Sequence, residues 1–65
     1  MLKIKIGDYF DIYQDGKPTR RVIATSNIDK NNKCFAYSIN DKITYVVDVS
    51  TEIEYIIGNI YEENC

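Results

Sequence analysis

The side chains of this chain alternate between apolar and polar with a period of two, and that alternation restricts it to a β fold. Leu2, Ile4 and Ile6 point one way while Lys3 and Lys5 point the other, as in a strand with one buried face. After Gly7 the pattern resumes, with Phe10 and Ile12 opposed to Tyr9, Asp11 and Tyr13. Residues 2–14 therefore read as one long strand bent at Gly7, or as two short ones. Asp15-Gly16 supplies a short hairpin turn, and a second strand is expected near 19–26. The polar run NIDKNNK at 27–33 reads as a loop, followed by strands over 34–39 and 43–49.

The hairpin between those last two strands can be given a register. Phe35, Tyr37 and Ile39 share one face, as do Ile43, Tyr45, Val47 and Val49. A three-residue loop at 40–42 pairs Ile39 with Ile43, Tyr37 with Tyr45 and Phe35 with Val47. All the large apolar groups then fall on one side, which is the condition that fixes register. The C-terminal stretch STEIEYIIGNIYEENC is ambiguous. Thr51 and Glu54 have capping-box spacing, and Ile53, Ile56, Ile57 and Ile60 follow at helical intervals. Against a helix stand the β-branched content, Gly58, and Glu62 and Glu63 at the unfavourable end of the dipole. A short helix covering one face of the sheet is favoured, and a further strand using Ile53, Tyr55 and Ile57 is the alternative.

The expected fold class is thus mainly β: a small antiparallel meander of four or five strands in one domain over 1–65, closed by a short C-terminal helix or extra strand. This is similar to the small SH3-like, partly open barrels. The stretch GDYFDIYQDGKPTRRVIA resembles the opening of the Tudor type among them: a Gly-Asp, a strand, an Asp-Gly turn, then a strand carrying Arg before apolar residues. The resemblance spans roughly residues 7–50 and concerns the fold. Tudor domains that bind methylated Lys or Arg cage them with several aromatics at strand ends and loops. Here Tyr9 and Tyr13 would count, loop 27–33 contributes no aromatic and the chain has no Trp, so the cage is not carried over.

With 65 residues there is room for one small core, and a chain of this size buries only about 60% of the surface its unfolded form exposes. A composition 45% hydrophobic and 28% charged, with a net charge of −2, belongs to a folded protein rather than a disordered one. The acidic balance has the wrong sign for a generic phosphate binder. Abundant Ile, Asn, Lys and Tyr fit AT-rich codons and suggest a low-GC bacterium or its phage. The opening MLKIKIGDYF lacks the continuous apolar run of a signal peptide. No segment approaches the length of a membrane span, so the expectation is a cytoplasmic protein. Cys34 and Cys65 make no metal or redox spacing and are expected to be reduced, with Cys65 exposed.

Catalytic equipment is lacking. The chain has no His, hence neither the usual base near neutral pH nor the commonest metal ligand. Cys34 lies mid-strand without a His to activate it. The ten acids are scattered along the chain and none forms a metal-loop spacing. There is no glycine-rich phosphate loop. The reading is a non-enzyme with no cofactor and no metal.

The segment YQDGKPTRR at 13–21 concentrates Lys17, Arg20 and Arg21 just past a turn, three of the eight basic residues. A two-residue turn would set Asp11 opposite Arg20. A three-residue turn would set it opposite Arg21 with Phe10 facing Val22, and this second register is preferred because it keeps Phe10, Ile12, Val22 and Ala24 on one face. The outward face then carries Tyr9, Asp11, Tyr13, Thr19 and Arg21, extended by Ile23. Tyrosine and arginine are enriched at interaction hot spots. Tyr9, Tyr13, Lys17, Arg20, Arg21 and Ile23 are therefore the candidate partner-binding residues, with the tail Tyr61, Glu62 and Glu63 secondary. The functional expectation is a protein-interaction module, such as an accessory or inhibitor protein, with a homodimer through an edge strand or that same face as a close variant. The alternative is a nucleic-acid or nucleotide-binding barrel in which Tyr9 and Tyr13 stack bases while Lys17, Arg20 and Arg21 hold phosphates.

Overall fold

Gly7 ends the N-terminal alternation instead of bending it. The computed structural model describes residues 3–62, and in it Gly7 adopts φ +94°, a conformation that favours glycine. A Cβ at this position would also stand 2.4 Å from the Tyr61 ring. Strand β1 therefore starts after the turn and spans Asp8–Gln14. Ile4 is buried and Ile6 exposed, so the two do not share a face as expected; Leu2 lies outside the described residues.

Strand β2, Lys17–Ala24, is reached through Asp15 and Gly16, both at positive φ (53° and 78°). That is the backbone of a two-residue type I′ hairpin turn. Yet Asp11 stands opposite Arg21 and Phe10 opposite Val22, the register derived above from a three-residue turn. The difference is made up by a bulge: Ile12 pairs with Arg20 and Tyr13 with Pro18, leaving Thr19 as the extra residue. Its hydroxyl donates to the Ile12 carbonyl at 2.9 Å.

Strands β3, Lys33–Ser38, and β4, Ile43–Asp48, correct the expected register by one residue. Phe35 pairs with Val46, Tyr37 with Thr44 and Ser38 with Ile43, around a four-residue loop over 39–42. Such a slip exchanges the faces of one strand relative to the other. Cys34, Ala36 and Ser38 now face inward, while Phe35 and Ile39 are exposed and Tyr37 is half-buried. Space explains the choice. The interior is filled by Phe10, Val22 and Val47, all fully buried, and opposite them β3 offers small side chains. Close packing leaves no room for Phe35 and Tyr37 as well.

The expected helix over the C-terminal stretch is reduced to one turn and lies further upstream. Helix α1 covers Val49–Glu52 with Asp48 as its N-cap, and Ile53 is already extended (φ −124°, ψ 137°). The capping interactions are reciprocal: the Asp48 carboxylate accepts from the Ser50 amide at 3.0 Å and the Glu52 carboxylate accepts from the Asp48 amide at 3.2 Å. Beyond it residues 53–57 are neither helix nor strand, and the chain reaches strand β5, Gly58–Asn59. The isoleucine stripe is split: Ile53 is buried and Ile56 packs against the core, whereas Ile60 is exposed on the other side.

The result is one open antiparallel sheet in the order β4-β3-β2-β1-β5, mainly β with one short helix. Its inner face holds the core of Ile4, Phe10, Ile12, Val22, Ala24, Cys34, Ala36, Val47, Val49 and Ile53. The closing strand β5 is only two residues long, and a buried polar contact secures it. Asn59 donates to the Asp8 carboxylate at 2.8 Å and to the Ile6 carbonyl at 3.2 Å, and accepts from the Tyr61 amide at 2.8 Å. Asp8 also accepts from the Lys5 amide at 3.0 Å. Replacing Asn59 by Ala leaves the Asp8 carboxylate buried without its main side-chain donor. The expected loss is about 2 kcal/mol of stability, measurable by urea unfolding against wild type.

Candidate functional site

Five strands in register place one row of outward residues across the whole sheet. Gly58 stands beside Tyr9, Tyr9 beside Ile23, Ile23 beside Tyr37 and Tyr37 beside Thr44. Gly58 offers no side chain, so the row begins at Tyr9. Together with Arg21, Ile39, Asn40 and Ile60, Tyr9 and Ile23 line a groove of about 370 Å³. Its floor is sheet, one wall is the loop over 39–42 and the other is Ile60, whose amide donates to the Gly7 carbonyl at 2.9 Å.

Three of the candidate residues, Tyr9, Arg21 and Ile23, thus meet in one groove. Arg21 is oriented by Asp11, with Nε 2.9 Å and Nη2 3.4 Å from its two carboxylate oxygens. This two-pronged contact, with the negative charge beside it, raises the Arg21 pKa further above its ordinary value. Arg21 is 59% exposed, so its guanidinium remains accessible from the groove while its direction is fixed.

Arg20 belongs to a different arrangement. It follows the inward alternation of Val22 and Ala24, and its guanidinium lies 4.9 Å from the centre of the Tyr45 ring. It donates to Asp41 at 2.5 Å and to the Tyr45 hydroxyl. Asp41 also accepts from Tyr45 at 3.2 Å and from the Ser38 hydroxyl at 3.3 Å. This cluster fastens the loop over 39–42 to β2 and so holds Ile39 and Asn40 in the groove wall. Arg20 positions that wall. Lys17 sits exposed beside the turn and does not line the groove.

Tyr13 is half-buried on the same outward face, toward its turn end, and hydrogen-bonds with Tyr55. Partial desolvation, that hydrogen bond and the nearby charges of Glu54 and Asp11 raise its pKa above the ordinary 10.0. Ile39, Asn40 and Ile60 were not among the candidates from sequence. The expected register puts Phe35 and Ile39 on one face with Val47, and the helical spacing puts Ile60 on a helix. The Ser38 and Asp41 pair, three residues apart, was the available signal: the Asp41 amide donates to the Ser38 hydroxyl at 3.3 Å, which marks the longer loop. In the tail, Tyr61 is exposed and Glu62 pairs with Lys5 at 2.5 Å, while Glu63 and Cys65 lie outside the described residues. Cys34 is buried, and burial raises its thiol pKa.

Among the described residues no three Cys, Asp or Glu side chains gather as a metal would require, and no helix is long and apolar enough to cross a membrane. No family model, no curated protein and no solved structure matches the chain.

Spectrophotometric titration of the tyrosines checks the Tyr13 arrangement. The neutral phenol is favoured in the folded state, so its contribution to stability is present below pH 10 and is lost as pH rises through the raised value. Tyr13→Phe is expected to remove a component that titrates above the ordinary value, and Tyr55→Phe to move that component back toward it.

Proposed function

We propose that this chain is a non-enzymatic protein-interaction module that binds a macromolecular partner through the outer face of its sheet. The observation that supports this reading is the groove of Tyr9, Arg21, Ile23, Ile39, Asn40 and Ile60. It continues into Phe35, Tyr37 and Val46 on the same face, of which Phe35 and Val46 are more than half exposed. A domain with so little core leaves large apolar and aromatic side chains outside, around one arginine held in a fixed direction. Contiguous apolar surface of this kind marks a contact site, and its residue types are those of hot spots. A small accessory or inhibitor protein of a low-GC bacterium or its phage, working in the cytoplasm, is the setting that fits it.

The nucleic-acid reading has less support. Of the three cations it needs, Arg20 and Arg21 are already in ion pairs with Asp41 and Asp11, and salt-dependent affinity rests on cations free to neutralise phosphate. Capture from a low-GC bacterial lysate, with and without nuclease, separates the two. The expected result is one protein retained in both arms and lost, by at least about tenfold, with the Tyr9→Ala/Arg21→Glu double variant. Capture that disappears with nuclease favours the nucleic-acid reading, and capture unchanged by the double variant places the contact elsewhere.

A further inference from the structure

The sheet order leaves β4 as an edge along its whole length, and the direction of its backbone groups can be assigned. The Val49 amide donates to the Asn32 carbonyl, and the Phe35 carbonyl accepts from Thr25 of the β2 side, both at 2.8 Å. In an antiparallel ladder these groups alternate. Ile43, Tyr45 and Val47 therefore bond to β3, while Thr44, Val46 and Asp48 direct their N–H and C=O groups away from the sheet. The Asp48 amide is satisfied by Glu52. Thr44 and Val46 offer four main-chain groups to whatever lies alongside. The edge bears none of the usual guards: it has no proline, no bulge and no charge between Ile43 and Val47. The opposite edge, β5, is two residues long.

We propose that β4 pairs with β4 of a second copy about a two-fold axis at Tyr45, joining the two sheets into one. Thr44 then faces the second copy's Val46, and Val46 faces its Thr44, which uses all four open groups on each side. The same register sets Lys42 opposite the second copy's Asp48 at both ends, so the charges are self-complementary. Registers shifted by two residues either way also match the open groups, but they lose this pairing of opposite charges. On the outer face Val46, 61% exposed, would come to lie between its own Phe35 and the Thr44 and Tyr37 of the second copy. The contact is short, below the size of a standard permanent interface, and the association is therefore concentration-dependent. It does not rest on the groove's having a partner.

Sedimentation equilibrium from micromolar to millimolar protein, with amide exchange at matched concentrations, tests the pairing. The expected mass rises from 7.6 kDa toward twice that, and the Thr44 and Val46 amides gain protection in step with it. Val46→Pro removes two of the four inter-copy hydrogen bonds without touching the β3 ladder and is expected to weaken association about 30-fold. Lys42→Glu sets like charges at both ends and is expected to weaken it about fivefold, which keeps the test decisive should the proline variant fail to fold. A mass of 7.6 kDa at every concentration overturns the proposal, as does a dimer whose Thr44 and Val46 amides exchange freely or which folded Val46→Pro leaves intact. A chain that stays monomeric alone but pairs β4 with an added foreign strand also overturns it, in favour of strand addition by a different protein.

Discussion

The hydrogen bond from Asn59 to Asp8 joins residues 51 apart in sequence, and it is buried. A two-residue strand has too short a ladder to hold the C-terminal segment against β1. The carboxamide supplies what the ladder lacks, binding the Asp8 carboxylate and the Ile6 carbonyl on one side and the Tyr61 amide on the other. Gly7 is the condition for this closure, since any Cβ there would collide with Tyr61 and crowd Asn59. With the segment held, Ile53 and Ile56 cover the core and Ile60 becomes the wall of the outer groove. Core and candidate surface therefore depend on one polar contact at the sheet's end.

A second constraint acts at the opposite end. The tight Asp15-Gly16 turn and the inward placement of Phe10, Ile12, Val22 and Ala24 cannot both be met by a regular hairpin. The Thr19 bulge reconciles them by absorbing one residue. It also decides which of the two adjacent arginines faces outward: Arg21 goes outward to Asp11 and Arg20 inward to Asp41 and Tyr45. Neighbours in sequence thus have different work, one in the groove and one fastening the loop that borders it.

Much of this was legible from the residues. Alternation identified the strands of the meander, and hydrophobic consistency gave the Asp11–Arg21 register although the three-residue turn is not the one formed. Tyr9, Arg21 and Ile23 were recognisable as an outward group. The inner face of β3 was not. Reading large apolar residues as buried holds while the interior has volume to accept them, and here Phe10 and Val22 have already taken it, so Cys34 and Ala36 go in and Phe35 comes out. The C-terminal isoleucines misled in a related way. Their helical spacing is real, but a β-branched run with Gly58 has little intrinsic support as a helix and closes the sheet as extended chain.

The outward turn of Phe35 and Ile39 is what makes the outer face apolar enough to serve as a contact surface, and it follows from one residue of register in the β3–β4 hairpin. Proton NMR reads that register directly, because non-hydrogen-bonded antiparallel pairs bring their backbones closest together. Hα–Hα cross-peaks are expected between Phe35 and Val46 and between Tyr37 and Thr44. Cross-peaks placing Phe35 opposite Val47 and Tyr37 opposite Tyr45 would contradict this register, returning the large side chains to the core and removing the groove's wall.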